Sequence, residues 1–408
     1  MVSPQKKNLC IVCKGSRLLC GRSSCSILSK IDSIVKFKHK FTSKEIFGSS
    51  PPSAFVGYRG YPRVYAGPMV PPVLGDTSIL DMTERWFGLS VQEIIDFRSQ
   101  LLRTQTLADV KKPSKILDAV HEIVLASKPV DTEIKLAKEP RFRMSFSDYE
   151  QPMGPSAPLI SIKVTENPKI PRHIEKITSD IDLKADKALI ELYDHDIPVS
   201  HLVRIFSVGL LGKESKRKLV PTRWAITAVD DIVSKNLIRV IKDFPLIDSY
   251  QVFYSDYLDN RFFILLIPTS WCFEQLEAWF PESIWSCGTT SIVSDHEFYR
   301  GRSDYASNVT GAYYAGRLAV CEHLVRRRRQ AGVIIFREIH KGYYIPLGVW
   351  QIRENVRNAM KNGPITFEDL KGALDYISSR LKIPMEKWES QSHILRYIKK
   401  QRSIFDFF

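Results

Sequence analysis

Residues Phe262–Ile267 read Phe-Phe-Ile-Leu-Leu-Ile, six apolar side chains with no polar residue among them. A strand wetted on one face alternates polar and apolar side chains, so an unbroken run must be covered on both faces. This stretch therefore predicts a central strand with packed layers above and below it. The run is far shorter than the ~18 apolar residues of a membrane span, and no longer one occurs in the chain.

Around it, Leu159–Val164, Trp224–Val229, Gln251–Tyr254 and Val333–Ile339 also have strand character. Helices are predicted from Ser90, whose capping box with Glu93 precedes an apolar face running to Leu101, and between Asn308 and Gln330. Two more are expected at Trp350–Met360 and after Thr366 and Asp369, which read as a cap for Phe367, Leu370, Leu374, Ile377 and Leu381. Ser49–Gly75 is rich in Pro, Gly and Tyr and reads as irregular but packed, and residues 145–160 read as loop. The class is α+β: a mixed-sheet central body, a helical C-terminal part and a small N-terminal zinc module. The expected division is residues 1–40, 41–350, 351–395 and a tail of 396–408.

Charge is uneven along the 408 residues, whose net value is +14. The first 44 residues carry ten Lys or Arg against the single acid Asp32, and residues 326–408 carry seventeen against eight. The middle is thus slightly acidic, and basic ends are the footprint of a protein that touches a polyanion. Lys36, Lys38, Lys40 and Arg326, Arg327, Arg328 and Arg329 are the candidate DNA contacts. A Lys-rich surface serving solubility is the plainer alternative. Charged residues break any signal-like apolar stretch at the N-terminus, so a soluble intracellular protein is expected.

Four of seven cysteines, Cys10, Cys13, Cys20 and Cys25, crowd together in the pattern Cys-x2-Cys-x6-Cys-x4-Cys. Clustered thiols without a secretion signal point to metal rather than disulfides, and four thiolates complete a tetrahedron. Zinc is the first reading, and an iron–sulfur cluster or no metal remain open. Four cysteines leave no open coordination position, so the role would be structural. Cys272, Cys287 and Cys321 lie in apolar surroundings and read as buried thiols.

The terminal peptide QRSIFDFF places Gln401, Ile404, Phe407 and Phe408 at the spacing i, i+3, i+6, i+7. In a 3₁₀ turn Ile404 and the two Phe gather into one apolar plug, while Gln401 reaches a separate polar pocket. This is the pattern of a docking peptide for a DNA sliding clamp. A central pocket is a further candidate, drawn from Arg223, Trp224, Asp230, Asp231, Glu297, Tyr299, Arg302 and Tyr305. Paired carboxylates can hold a cation or share a proton, but Asp230-Asp231 also reads as a helix start. No P-loop, Rossmann glycine pattern, nucleophile elbow or His-Glu-x-x-His is present.

The cysteine module, GYPRVYAGPMVPP, PMGPSAP, VPTRWAITAVDD, FFILLIPTSWCFEQLEAWFPESIW, FYRGRSDYASNVTGAYYAGRLAV and the terminal peptide together resemble the archaeal Nre family of DNA-repair proteins. The resemblance spans nearly the whole chain. It implies an archaeal protein of DNA-damage repair, cytoplasmic and nucleoid-associated, with Cys10, Cys13, Cys20 and Cys25 as the ligands of a C4 zinc finger. It further implies that Gln401, Ile404, Phe407 and Phe408 are the anchors of a PIP box for the clamp PCNA. It transfers no catalytic residue. A repair enzyme acting on DNA or a nucleotide from a central active site is the alternative to a DNA-binding repair factor.

Overall fold

A computed structural model describes residues 12–13, 17–21, 24–111, 115–143, 151–281 and 291–400. The chain divides into two units. One comprises Ser26–Val233, and the other Ser234–Phe408 together with Met1–Cys25.

The first unit is built on six strands: β1 (Glu45–Ser50), β2 (Ala54–Val56), β3 (Arg63–Val70), β4 (Leu102–Asp109), β5 (Val130–Leu136) and β6 (Ser156–Val164). Their order is β1-β5-β6-β4-β3-β2, antiparallel except for the β4–β6 pair. Phe37, Phe41, Ile46, Val70, Leu102, Ile134 and Leu159 form one core of this unit. Gly48 is dictated by packing, because a Cβ there would lie 1.8 Å from the Pro71 carbonyl oxygen. The Ser90 capping box forms as expected at the start of the helix Val91–Ser99.

The second unit carries β7 (Tyr250–Tyr257), β8 (Asn260–Ile267), β9 (Cys272–Trp279), β10 (Ser291–Glu297), β11 (Gly332–Ile339) and β12 (Ile365–Phe367) in the order β10-β9-β11-β8-β7-β12. Strand β8 lies inside the sheet and is covered on both faces, as its apolar run requires. On one face Phe263, Leu265, Leu276, Ile334 and Phe336 pack with Leu374, Ile377, Trp388 and Ile394 from the C-terminal helices. The other face receives the helices Gly311–Arg327 and Trp350–Lys361, seen in Phe273 against Tyr313 and Ser255 bonded to Asn355. Glu274, whose pKa burial raises, accepts from the backbone of His393 at 2.8 Å and Ile394 at 3.1 Å. That carboxylate satisfies the open amides of the helix His393–Lys400, which leads directly to residue 401.

Five expectations are corrected. Trp224–Val229 is not a strand but part of the helix Thr222–Ile241, because Ala225, Val229, Val233, Leu237 and Ile241 recur every four residues and all are buried. Asp230-Asp231 is therefore mid-helix rather than a helix start. Ser49–Gly75 is only partly irregular, since the end of β1 and all of β2 and β3 lie within it and β2 pairs with β3 despite its Pro and Gly content. Within 145–160, β6 already begins at Ser156. The helix Leu370–Ser378 is capped by Asp369, which accepts from Gly372 N at 2.7 Å, while Thr366 is held in β12 by pairing with β7. Among the described residues, no helix is long and apolar enough to cross a membrane.

Candidate functional site

Strand β9 explains where charge enters the second unit. Its sequence CFEQLEAW puts Leu276 and Ala278 on one face and Phe273, Gln275 and Glu277 on the other. In register, Asp295 of β10 stands opposite Gln275, Glu297 opposite Phe273, and Arg337 of β11 opposite Glu277. The helix Gly311–Arg327 lies over this row. Gly316 permits the approach, because a Cβ there would stand 2.4 Å from Gln275 Oε1 and 3.1 Å from Ile335 Cδ1. The Gln275 Oε1 atom is buried beside this glycine and has no hydrogen-bond partner.

The next residue, Arg317, is fully buried. Its Nη1 donates to Glu297 Oε2 at 2.7 Å and its Nε to Ser234 Oγ at 3.1 Å, and Trp271 Nε1 donates to the other oxygen of Glu297 at 3.2 Å. The guanidinium also lies 5.5 and 5.3 Å from the rings of Tyr313 and Tyr314. Burial, with Glu297 close by, holds the Tyr313 hydroxyl well above its usual pKa. Arg337 makes a second closed pair, donating to Glu277 Oε1 at 2.7 Å and twice to Asn260 Oδ1. Arg302 makes a third with Asp295 at 3.2 Å, and the same carboxylate accepts from the amides of Asn308 and Val309.

Each acid in this row is matched to an arginine, and both carboxylate oxygens of Glu297 and of Asp295 accept hydrogen bonds. Such pairs hold the interior electrically neutral and fix the helix on the sheet.

The eight residues proposed for a central pocket are divided by the fold. Glu297 and Arg302 join the charge-paired row. Tyr299 is exposed beneath the Lys242 ammonium at 4.5 Å, and Tyr305 is exposed and stacked on Tyr314. Arg223 and Trp224 are exposed on the first unit, on the same helix as buried Asp230 and half-buried Asp231. Sequence reasoning missed Arg317, Arg337, Gln275 and Glu277. The available signal was an arginine within the otherwise small and apolar stretch Gly311–Cys321, and the polar residues Glu274, Gln275 and Glu277 inside a strand of otherwise apolar residues. A cleft of about 360 Å³ also lies between the C-terminal helices, lined by Leu370, Lys371, Leu374, Asp375, Ser378, Met385, Glu386, Glu389 and Lys399. Its Lys399 and Glu389 pair with each other at 2.8 Å.

The basic candidates differ in their surroundings. Lys36 bonds to Asp96 at 2.5 Å, Lys36 and Lys40 lie beside the Phe37 ring, and Lys38 is exposed. Arg326, Arg327, Arg328 and Arg329 are all exposed where their helix ends, with Arg328 in the left-handed region at φ 50°. Burial together with Arg327 and Arg326 lowers the pKa of His323 to about 4, so that ring is neutral. The buried thiols are as expected: burial pushes Cys272 up to about 12 and Cys321 well above the usual range. Cys287 lies outside the described residues.

Of the four clustered cysteines, Cys10 lies outside the described residues, while Cys13 is buried, Cys25 half-buried and Cys20 exposed. Leu18 and Gly21, at φ 45° and 74°, make turns in this segment, and Gly21 N donates to Leu18 O at 2.8 Å. Turns of this kind suit amides directed at sulfur, but among the described residues no three His, Cys, Asp or Glu side chains are gathered to hold a metal. Gln401, Ile404, Phe407 and Phe408 lie outside the described residues.

The described residues form two α+β units, with charges paired inside the second and arginines and aromatics exposed on the surface. The chain belongs to the archaeal Nre family. Residues 19–286 match "Archaeal Nre, N-terminal" and residues 297–407 match "Archaeal Nre, C-terminal". It is 39% identical over 399 residues to DNA repair protein NreB of Archaeoglobus fulgidus, covering 98% of this chain and 99% of that protein. It is 41% identical over 406 residues to DNA repair protein NreA of the same organism, covering 98% of each. DNA repair protein NreA of Haloferax volcanii is 31% identical over 406 residues, with 96% of each chain covered. No solved structure matches.

Removing one partner of a buried pair leaves a charge stranded in the interior. Arg317→Ala is expected to lower unfolding free energy by roughly 3–5 kcal/mol. The double change Arg317→Met with Glu297→Leu should recover most of that loss. Urea unfolding of the three proteins tests this, and an Arg317→Ala loss under about 1 kcal/mol would show that the pair does not fasten the helix.

Proposed function

We propose that this chain is a DNA-repair protein that binds DNA and docks on the sliding clamp PCNA through Gln401, Ile404, Phe407 and Phe408, with a structural zinc on Cys10, Cys13, Cys20 and Cys25. The observation that carries this reading is kinship along almost the full chain with proteins named for DNA repair. Three features support its parts: the exposed run Arg326–Arg329, the spacing of the terminal peptide, and the four-cysteine pattern. A binding role is favoured over an enzyme of the central body because the acids and arginines there neutralise one another. Its place in the cell would be with the DNA, in the archaeal cytoplasm and nucleoid.

The terminal peptide follows a helix that is itself fastened to the sheet by Glu274, so changes in the peptide need not disturb the core. Phe407→Ala with Phe408→Ala should abolish clamp binding and leave the melting temperature unchanged, since apolar anchors of this kind contribute about 2 kcal/mol or more each. Calorimetry with purified clamp reads both arms; unchanged affinity sinks the docking peptide.

Zinc would hold the cysteine segment by linking four thiolates, a closed set with no catalytic position. Elemental analysis should find about one zinc per chain, lost in Cys13→Ala while the melting transition of the main body persists. Finding iron, or no metal in protein purified without chelator, overturns the assignment.

For DNA, each neutralised phosphate releases condensed counterion, so affinity should fall steeply with salt. Changing Arg326–Arg329 to Ala should reduce the logarithmic salt slope on duplex by about three to four if all four contact phosphates. Fluorescence anisotropy at several salt concentrations measures it, and an unchanged slope means that these arginines only keep the surface soluble.

A further inference from the structure

The segment Gly57–Tyr65 and the first turn of the helix Thr222–Ile241 place aromatic rings and arginines together on the surface of the first unit. Tyr58, Tyr61 and Trp224 are 43%, 40% and 47% exposed. The rings of Tyr61 and Trp224 lie 5.2 Å apart, inclined by 54°, and the Arg223 guanidinium is 5.9 Å from the Tyr58 ring. Arg59 and Arg63 are exposed in the same segment. Asp109 stands opposite Arg63 in the β3–β4 register.

The backbone holds this surface in shape. Gly57 N donates to Tyr65 O at 2.8 Å, Arg63 N to Gly60 O at 2.9 Å and Val110 N to Pro62 O at 3.1 Å. Val56 N donates to Thr222 Oγ1 at 3.0 Å, which ties the segment to the helix carrying Arg223 and Trp224. Gly60 is required, since its φ is +83° and a Cβ would meet Arg63 O at 2.8 Å. Three large rings left in water are unfavourable as core material, and their fixed placement lowers the entropy lost when a ligand stacks on them.

We propose that Tyr58, Tyr61, Trp224, Arg59, Arg63 and Arg223 form a stacking platform for the unpaired bases of single-stranded DNA. Aromatic faces engage bases only when those bases are out of a duplex, and adjacent cations meet the phosphates of the same strand. A surface meant for duplex backbone alone would need the arginines without the rings. The proposal rests on the reading that the protein binds DNA, and adds the surface and the form of DNA.

The full-length protein is titrated by anisotropy against three labelled ligands: an oligothymidylate of about twenty nucleotides, an abasic oligomer of equal length and a duplex of equal length. The unchanged protein should bind oligothymidylate about tenfold or more tightly than the abasic strand, because the two differ only in their bases. Tyr61→Ala with Trp224→Ala should remove that preference and leave duplex affinity and melting temperature unchanged, and Trp224→Phe should keep most of it. Equal binding of the thymidylate and abasic strands by the unchanged protein, or a preference that survives the double change, overturns the platform while DNA binding stands. No binding of any of the three overturns the DNA reading, and the platform with it.

Discussion

Glu297 and Glu277 occupy the interior of the second unit because Arg317 and Arg337 enter with them. An isolated carboxylate at that depth would be strongly unfavourable, and each arginine both neutralises it and supplies directed donors. The position of the helix Gly311–Arg327 follows from this requirement. Gly316 lets the backbone come close to Gln275 and Ile335, so Arg317 can reach Glu297. The apolar face of the same sheet shows the same logic in another form, where Glu274 accepts the amides that begin the last helix. Charge inside this unit positions helices on a sheet whose strand β8 is apolar through Phe262–Ile267.

This placement bears on function. Glu297 and Arg302, two of the candidates for a central pocket, are engaged in holding the fold. Arg326–Arg329 on the second unit and the rings and arginines around Trp224 on the first are exposed. On the function proposed above, exposed arginine beside an aromatic ring suits a polyanion with unpaired bases, whereas arginine alone suits the polyanion only.

Reading by sequence succeeded where one local rule dominated. The run at 262–267 could only be a two-sided strand, and Ser90 with Glu93 could only open a helix. It failed where two rules competed. Trp224, Ile226, Thr227 and Val229 have strand propensity, yet burial at every fourth position made them helical. The prolines and glycines of 49–75 suggested irregular chain, yet β2 and β3 form between them and β3 takes in Gly67 and Pro68. Glu297 and Arg302 were noticed as polar residues in an aromatic stretch. Arg317 was not, because nothing within its own helix reveals that its partner lies twenty residues upstream on a strand.

The sequence by itself determined the α+β class, the two-sided burial of β8, the family, and the concentration of charge at the two ends. These are carried by composition, periodicity and runs of residues, all local properties of the chain. Only the tertiary structure decided that Glu297 pairs with Arg317 while Trp224 meets Tyr61, and hence which polar and aromatic residues are spent inside and which face water. That choice depends on strand register and on how closely a helix can approach a sheet, and neither is written in the neighbourhood of the residues concerned.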